Sequence, residues 1–304
     1  MCGIIGFLDK ATRGVHYGLG RILLDMLNAL GCRGPDSSGV ALFGPATNGR
    51  LIVRVKLGDR GEYGERARQL SALIQSLGIR ESQFSTVDSY ARFTVDGEVA
   101  LSDLIAATEG LDKGIEVVSA GRNLEIVKQV GSPANLEKTF GISSFRGTHG
   151  LGHTRLSTES RVDLSHSQPF WSHGYPDLAI VHNGHITNYH QLWRRYQQGN
   201  VRFYTENDSE VVAIYLADQL RQGRSLEEAL QAMLRELDGS YSCLVATATQ
   251  FGYVKDPFAL KPLLWAETDD FVAVANEEIA IRSALPDAYE VREAQAKEIR
   301  LWER

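Results

Sequence analysis

Met1-Cys2-Gly3-Ile4-Ile5-Gly6-Phe7 is the stretch on which the reading of this chain turns. Loss of an initiator Met next to a small residue makes Cys2 the first residue, with a thiol and a free α-amino group on one carbon. A thiol of pKa ~8.5 is mostly protonated at neutral pH, while an α-amino group at ~7.7–8.0 is partly neutral and can take up a proton. One residue then holds both its nucleophile and its general base, as an N-terminal Thr does in related chemistry. The plain alternative is a chance second residue, and Cys2 alone favours it. The residues that reverse the balance lie far downstream.

At 304 residues the chain falls between one large domain and two ordinary ones. Apolar residues make up 43% and charged residues 23%, enough for a sizeable core and against disorder. A net charge of −6 and a pI near 5.8 argue against nucleic acid or an anionic membrane surface as the main partner. No apolar run reaches the ~18–20 residues of a membrane span, and no secretory leader is visible. The three cysteines, Cys2, Cys32 and Cys243, are an odd number without C-x-x-C spacing, which points to free thiols in a reducing compartment. A cytoplasmic location is expected.

Residues 4–8 read as a short buried strand, and 18–30 as a helix with Ile22, Leu23, Met26, Leu27 and Leu30 on one side. Cys32-Arg33-Gly34-Pro35-Asp36-Ser37-Ser38-Gly39 is a tight turn by its Gly-Pro-Asp content, leading into a strand at 40–43. Between 44 and 148 the spacing predicts a strand at 51–57, a helix at 65–77 and two strands within 115–130, with few chemically active residue types. This segment is expected to be an insertion or subdomain inside a domain spanning 2–290, a separate domain being the alternative. Residues 291–304 then form a C-terminal strand and tail. Further strands are expected at 151–154, 178–182, 240–248, 252–255, 263–266 and 271–275, with helices at 208–220, 225–237 and 277–285. Ser225 and Glu228 stand at capping-box spacing. Two groups of strands with helices between and after them make a layered α+β fold; strand–helix alternation is not sustained enough for a doubly wound one.

All but one of the eight histidines fall between His149 and His190, so a metal site has to be weighed. Gly150 and Gly152 spoil a helical His149/His153 pair, and no H-e-x-x-H pattern or completing carboxylate is present, so no metal is expected. More telling are separate polar groups at expected element ends. Gly152-His153-Thr154-Arg155-Leu156-Ser157-Thr158 puts a guanidinium where a strand gives way to a loop, able to grip a carboxylate by two parallel hydrogen bonds, with Ser157 and Thr158 adding hydroxyls. Asn183 and Gly184 close the expected strand at 178–182, an amide and a backbone N–H fit for a two-donor oxyanion hole. Asp208 opens a helix and could take an ammonium group. Each has a bland alternative: a surface ion pair, a turn, an N-cap. Joined to Cys2, they form the inventory for attacking the side-chain amide of a free α-amino acid.

These stretches, together with Val181-His182-Asn183-Gly184-His185-Ile186-Thr187-Asn188-Tyr189, Asn207-Asp208-Ser209-Glu210 and Lys255-Asp256-Pro257-Phe258-Ala259-Leu260-Lys261-Pro262-Leu263, resemble the ordered motif set of class II glutamine amidotransferases. Those enzymes are N-terminal nucleophile hydrolases. The resemblance runs from Cys2 to about Leu285, interrupted by the middle segment. It implies a four-layer αββα fold with an inserted α/β segment and a reaction converting glutamine to glutamate and ammonia through a Cys2 thioester. It further implies Cys2 as nucleophile, Asn183 and Gly184 as oxyanion hole, Arg155 and Asp208 as clamps for the glutamine α-carboxylate and α-amino groups, and Arg33 as support for the nucleophile loop. Leu156 stands where many relatives carry an aromatic and Glu159 where some carry His or Asn, departures that bear on glutamine affinity.

Family members usually join this domain to one that consumes the ammonia, and no phosphoribosyl-binding, ATP-pyrophosphatase or sugar-isomerase motif is found here. The expectation is a stand-alone glutaminase subunit with no cofactor of its own. By analogy it serves a separate, flavin-bearing synthase subunit of glutamate synthase or N-methylglutamate synthase type. A non-catalytic glutamine-sensing or scaffold subunit and a metal hydrolase are the competing classes.

Overall fold

A computed structural model of the chain describes residues 2–10, 17–47, 49–59, 61, 63–78, 80–96, 100–157 and 161–304. Strand β1 (Gly3–Asp9) is wholly buried and divides its side chains by the two-residue period of a strand. Ile4 and Leu8 enter one apolar cluster, while Ile5 and Phe7 enter another beneath helix α1 (Leu19–Ala29). Strand β2 (Ser37–Phe43) follows the Gly-Pro-Asp turn.

The next stretch builds a small antiparallel sheet from β3 (Leu51–Lys56), β4 (Arg80–Val87), β5 (Tyr90–Asp96) and β6 (Glu116–Gly121), with α2 (Tyr63–Ser76) and α3 (Leu101–Glu109) between its strands. Val53, Val55, Tyr90 and Val117 join the same cluster as Ile4, so this sheet shares the molecule's main core. The chain then leaves it. Strand β7 (Leu124–Val130) pairs with β2, and α4 (Pro133–Phe140) places Leu136 in the cluster under α1. Asp177 fixes the departure by accepting from the N–H groups of Arg122, Asn123 and Leu124 at 2.9–3.0 Å.

Strands β8 (His149–Arg155), β9 (Phe170–Trp171) and β10 (Ala179–Ile186) come next, then α5 (Tyr189–Gln198), α6 (Asp208–Arg221) and α7 (Leu226–Glu236). The expected capping box on α7 is present, with Ser225 and Glu228 bonded reciprocally. The chain closes with β11 (Gly239–Ala246), β12 (Gln250–Lys255), β13 (Leu264–Glu267), β14 (Phe271–Ala275), α8 (Glu278–Ala284), β15 (Arg292–Glu293) and β16 (Ile299–Glu303).

A seven-stranded sheet in the order β15-β13-β14-β1-β8-β2-β7 faces a five-stranded sheet in the order β16-β12-β11-β10-β9. Between them Ile4, Leu8 and Leu151 meet Val181, Leu244 and Phe251. Helices α1, α4 and α8 cover the first sheet, and α5, α6 and α7 the second. The architecture is four-layered αββα, as expected. Gly6 faces Phe251 across the gap, where an added Cβ would lie 2.6 Å from the ring, so the sheets meet closely behind the start of β1. No helix among the described residues is long and apolar enough to cross a membrane.

One local expectation changes and one alternative falls. Asn183-Gly184 does not end its strand: β10 runs on to Ile186 because β11 pairs with it continuously from Ala179↔Ala246 to Ile186↔Gly239. The N-cap of α6 is Asn207, whose side chain accepts from Ser209 N–H, leaving Asp208 as the first helical residue.

Candidate active site

Register alone places the first pieces. Gly3 pairs with Thr154 between β1 and β8, so Cys2 and Arg155 leave adjacent strands side by side. Cys2 is half-buried, and its Sγ lies 3.8 Å from the Leu156 carbonyl, to which the thiol donates. Its carbonyl oxygen accepts two side-chain amides at 3.3 Å, Asn183 Nδ2 and Asn276 Nδ2.

Arg155 is only 4% exposed, which rules out a surface ion pair; Nη1 donates to the Arg161 carbonyl at 2.7 Å. Burial lowers its pKa, opposed by the nearby carboxylates of Asp163 and Asp36. The Gly-Pro-Asp turn holds this corner. Asp36 N–H donates to the Arg155 carbonyl at 3.1 Å, and Asp36 Oδ2 accepts from Ser157 N–H at 2.7 Å. Gly34 passes so close to β8 that a Cβ would sit 2.4 Å from the Thr154 carbonyl carbon. Arg33 makes an ion pair with Glu277, the residue after Asn276. Thr158 and Glu159 lie outside the described residues.

From the opposite sheet, β10 turns Asn183 toward Cys2 and His182 toward α6, as the strand period requires. Gly184 has φ of +146°, and a Cβ there would lie 2.1 Å from the Ser240 carbonyl, so both conformation and space demand glycine. Asp208 Oδ2 accepts from Ile186 N–H at 2.9 Å, anchoring the start of α6 to the end of β10. Behind it, Gln168 pairs with the His182 backbone in both directions, at 2.7 and 2.9 Å, and donates to Ser209 Oγ at 3.2 Å. Ser209 Oγ in turn meets His182 Nδ1 at 2.9 Å, and burial lowers the pKa of that imidazole.

Cys2, Arg155, Ser157, Asn183, Gly184 and Asp208 line one cleft of about 650 Å³. A thiol, two amide-type donors, a guanidinium and a carboxylate therefore converge on a space that fits a free amino acid. Burial drives the pKa of His149 to about 4, His153 to about 3 and His173 to about 4, while His166 is raised by its hydrogen bond to Asp163. Among the described residues no group of three or more His, Cys, Asp or Glu is placed to hold a metal ion. The sequence reading missed Asn276 and Gln168. An Asn closing the apolar run 271–275, as Asn183 follows 179–181, was the available signal for the first.

Residues 153–283 match a family profile described as a glutamine amidotransferase domain. The chain is 35% identical over 309 residues to a protein of Methanothermobacter thermautotrophicus provisionally named a glutamine amidotransferase, covering all of both chains. It is 35% identical to the glutamine amidotransferase-like protein GlxB of Rhizobium meliloti, over 96% of this chain and 94% of that protein. Among solved structures, glutamine phosphoribosylpyrophosphate amidotransferase from B. subtilis superposes with a TM-score of 0.61 at 19% identity, over 99% of this chain and 49% of that one. The chain thus spans about half the length of that structure.

Proposed function

From the premise that the chain belongs to the glutamine amidotransferase family, we propose that it hydrolyses glutamine at Cys2 and delivers the ammonia to a separate synthase subunit. The observation that carries this reading is the single cleft uniting Cys2 with Arg155, Asn183, Gly184 and Asp208, residues scattered over more than two hundred positions of sequence. Arg155 takes the glutamine α-carboxylate, with Ser157 beside it, and Asp208 takes the α-ammonium, so the side-chain amide is held toward Cys2.

The thiol passes its proton to the Cys2 α-amino group as sulfur bonds to the amide carbon. The oxyanion is met by Asn183 Nδ2–H and Gly184 N–H. The C–N bond then breaks, the proton held by the amine going to the departing ammonia. Water adds to the thioester, the S–C bond breaks, and glutamate leaves with the thiol restored. No step requires a cofactor in this chain; in the glutamate synthase or N-methylglutamate synthase arrangement the flavin sits on the partner, and both work in the cytoplasm. Relatives that match over nearly their whole length support a subunit of this kind.

The test is release of ammonia and glutamate from glutamine by the wild type and by Cys2→Ala, with an intact mass to show that Met1 has been removed. Activity retained by Cys2→Ala, or by a chain that keeps Met1, would end the covalent mechanism. Coupled synthesis by the purified chain alone would end the separate-partner part only.

A further inference from the structure

Three hydrogen bonds tie Asn276 to the start of the nucleophile strand. Its Oδ1 accepts from Ile4 N–H at 3.0 Å, its own N–H donates to the Ile4 carbonyl at 3.2 Å, and its Nδ2 donates to the Cys2 carbonyl at 3.3 Å. The side chain is 1% exposed and follows β14 directly, so its position is set by the centre of the seven-stranded sheet. The next residue, Glu277, pairs with Arg33 and braces the segment from outside.

The Cys2 carbonyl oxygen has two lone pairs, and the second is taken by Asn183 Nδ2 at 3.3 Å. That bond uses one hydrogen of the Asn183 amide and leaves the other free for an incoming oxygen. Cys2 precedes the first residue of β1, so the ladder that fixes Gly3 onward does not by itself fix the rotation of Cys2. A grip on its carbonyl fixes the plane of the Cys2–Gly3 peptide, and with it the Cα that carries thiol and amine. Turning that peptide group turns the thiol, the α-amine and the anchored Asn183 amide together.

We propose that Asn276 is a positioning residue for glutamine hydrolysis, holding the Cys2 carbonyl so that thiol, amine and Asn183 amide stay aligned on one substrate carbon. This rests on the assignment of Cys2 as nucleophile and Asn183 as oxyanion donor. The glutamine clamps Arg155 and Asp208 lie on other elements, so loss of the grip slows the chemical step and leaves binding largely unchanged.

The experiment is covalent labelling by a chloroketone analogue of glutamine, followed by intact mass in wild type, Asn276→Asp and Asn276→Ser. Asp keeps the acceptor for Ile4 N–H but turns an oxygen toward the Cys2 carbonyl; Ser keeps a shorter donor. The limiting labelling rate of Asn276→Asp should fall by about tenfold or more, with the half-saturating concentration within about threefold of wild type and Asn276→Ser in between. The acid limb of the rate should move to higher pH in Asn276→Asp, because a carboxylate stabilises the protonated amine. A folded variant whose limiting rate stays within about threefold of wild type, or whose rate and half-saturation change in proportion, overturns the proposal. Failure of both variants to show a cooperative thermal transition assigns Asn276 to stability alone and also overturns it. Labelling that persists in Cys2→Ala refutes the nucleophile assignment instead, and so separates the two failures.

Discussion

Asn183 supplies a side-chain donor from a rigid strand, 7% exposed and anchored on the Cys2 carbonyl. Asn183→Ala should lower kcat for glutamine by about 100–1000-fold with a smaller change in KM, because the donor matters most once the oxyanion has formed. Steady-state kinetics would check this, and a KM effect alone would remove the oxyanion role. In the proposed mechanism Arg155 acts on binding instead. Arg155→Lys replaces a planar fork by a point charge and should raise KM by about tenfold or more while kcat moves less. The types Cys2, Arg155, Asn183 and Asp208 were legible in sequence because each carries a recognisable chemical capacity beside glycines or at an element end. Asn276 and Gln168 were not, since an amide discloses its role only through its partner, and Asn276 meets Cys2 across 274 positions.

Elements differ in how openly they show themselves. Helix α1 and the pair α6–α7 have broad apolar faces or capping signals, whereas α5 carries Tyr189, Leu192, Trp193 and Tyr196 at the i, i+3, i+4, i+7 spacing of a buried stripe, a pattern present in the sequence and passed over there because polar residues surround it. Strand β4 is polar and stands at the edge of its sheet, so it lacks the alternation that reveals a half-buried strand. Two substitutions separate stability from function at this scale. Ser225→Ala removes the cap of α7, which does not line the cleft, and should cost about 1 kcal/mol of stability in a denaturant melt with glutaminase activity intact. Gly34→Ala forces the Gly-Pro-Asp turn away from β8 and so displaces Ser157 and Arg155. Its expected signature is a raised KM for glutamine, and wild-type kinetics in that variant would show that the turn does not hold the clamp.

Four of the histidines are held as neutral groups. His149, His153, His173 and His182 are lowered by burial, so the folded chain refuses protons that the unfolded chain accepts from about pH 6.5 downward. The unfolded state then binds more protons, and stability falls as pH falls, by up to about 1.4 kcal/mol per pH unit for each such group. His166, raised by its hydrogen bond to Asp163, and Glu109 and Glu210, raised by burial, work in the opposite sense, but the four histidines outnumber them. The thermal midpoint should therefore drop between pH 6.5 and 5, and a flat midpoint over that window would contradict the buried, neutral assignment.

By itself the sequence determined the chemical inventory and the local periods: a cysteine at the second position, amide and guanidinium groups by strands, and alternations of two or near four that fix which faces are apolar. Such features depend on neighbours a few residues away, which the order of residues states directly. Only the tertiary structure decided that β10 continues through Gly184, that the strand at 124–130 joins the sheet of β1 rather than that of β6, and that Asn183 and Asn276 meet on one carbonyl oxygen. Strand pairing and side-chain amide bonding are contacts between distant segments, set by which sheet offers a free edge and which buried polar group lacks a partner, and no local pattern records either.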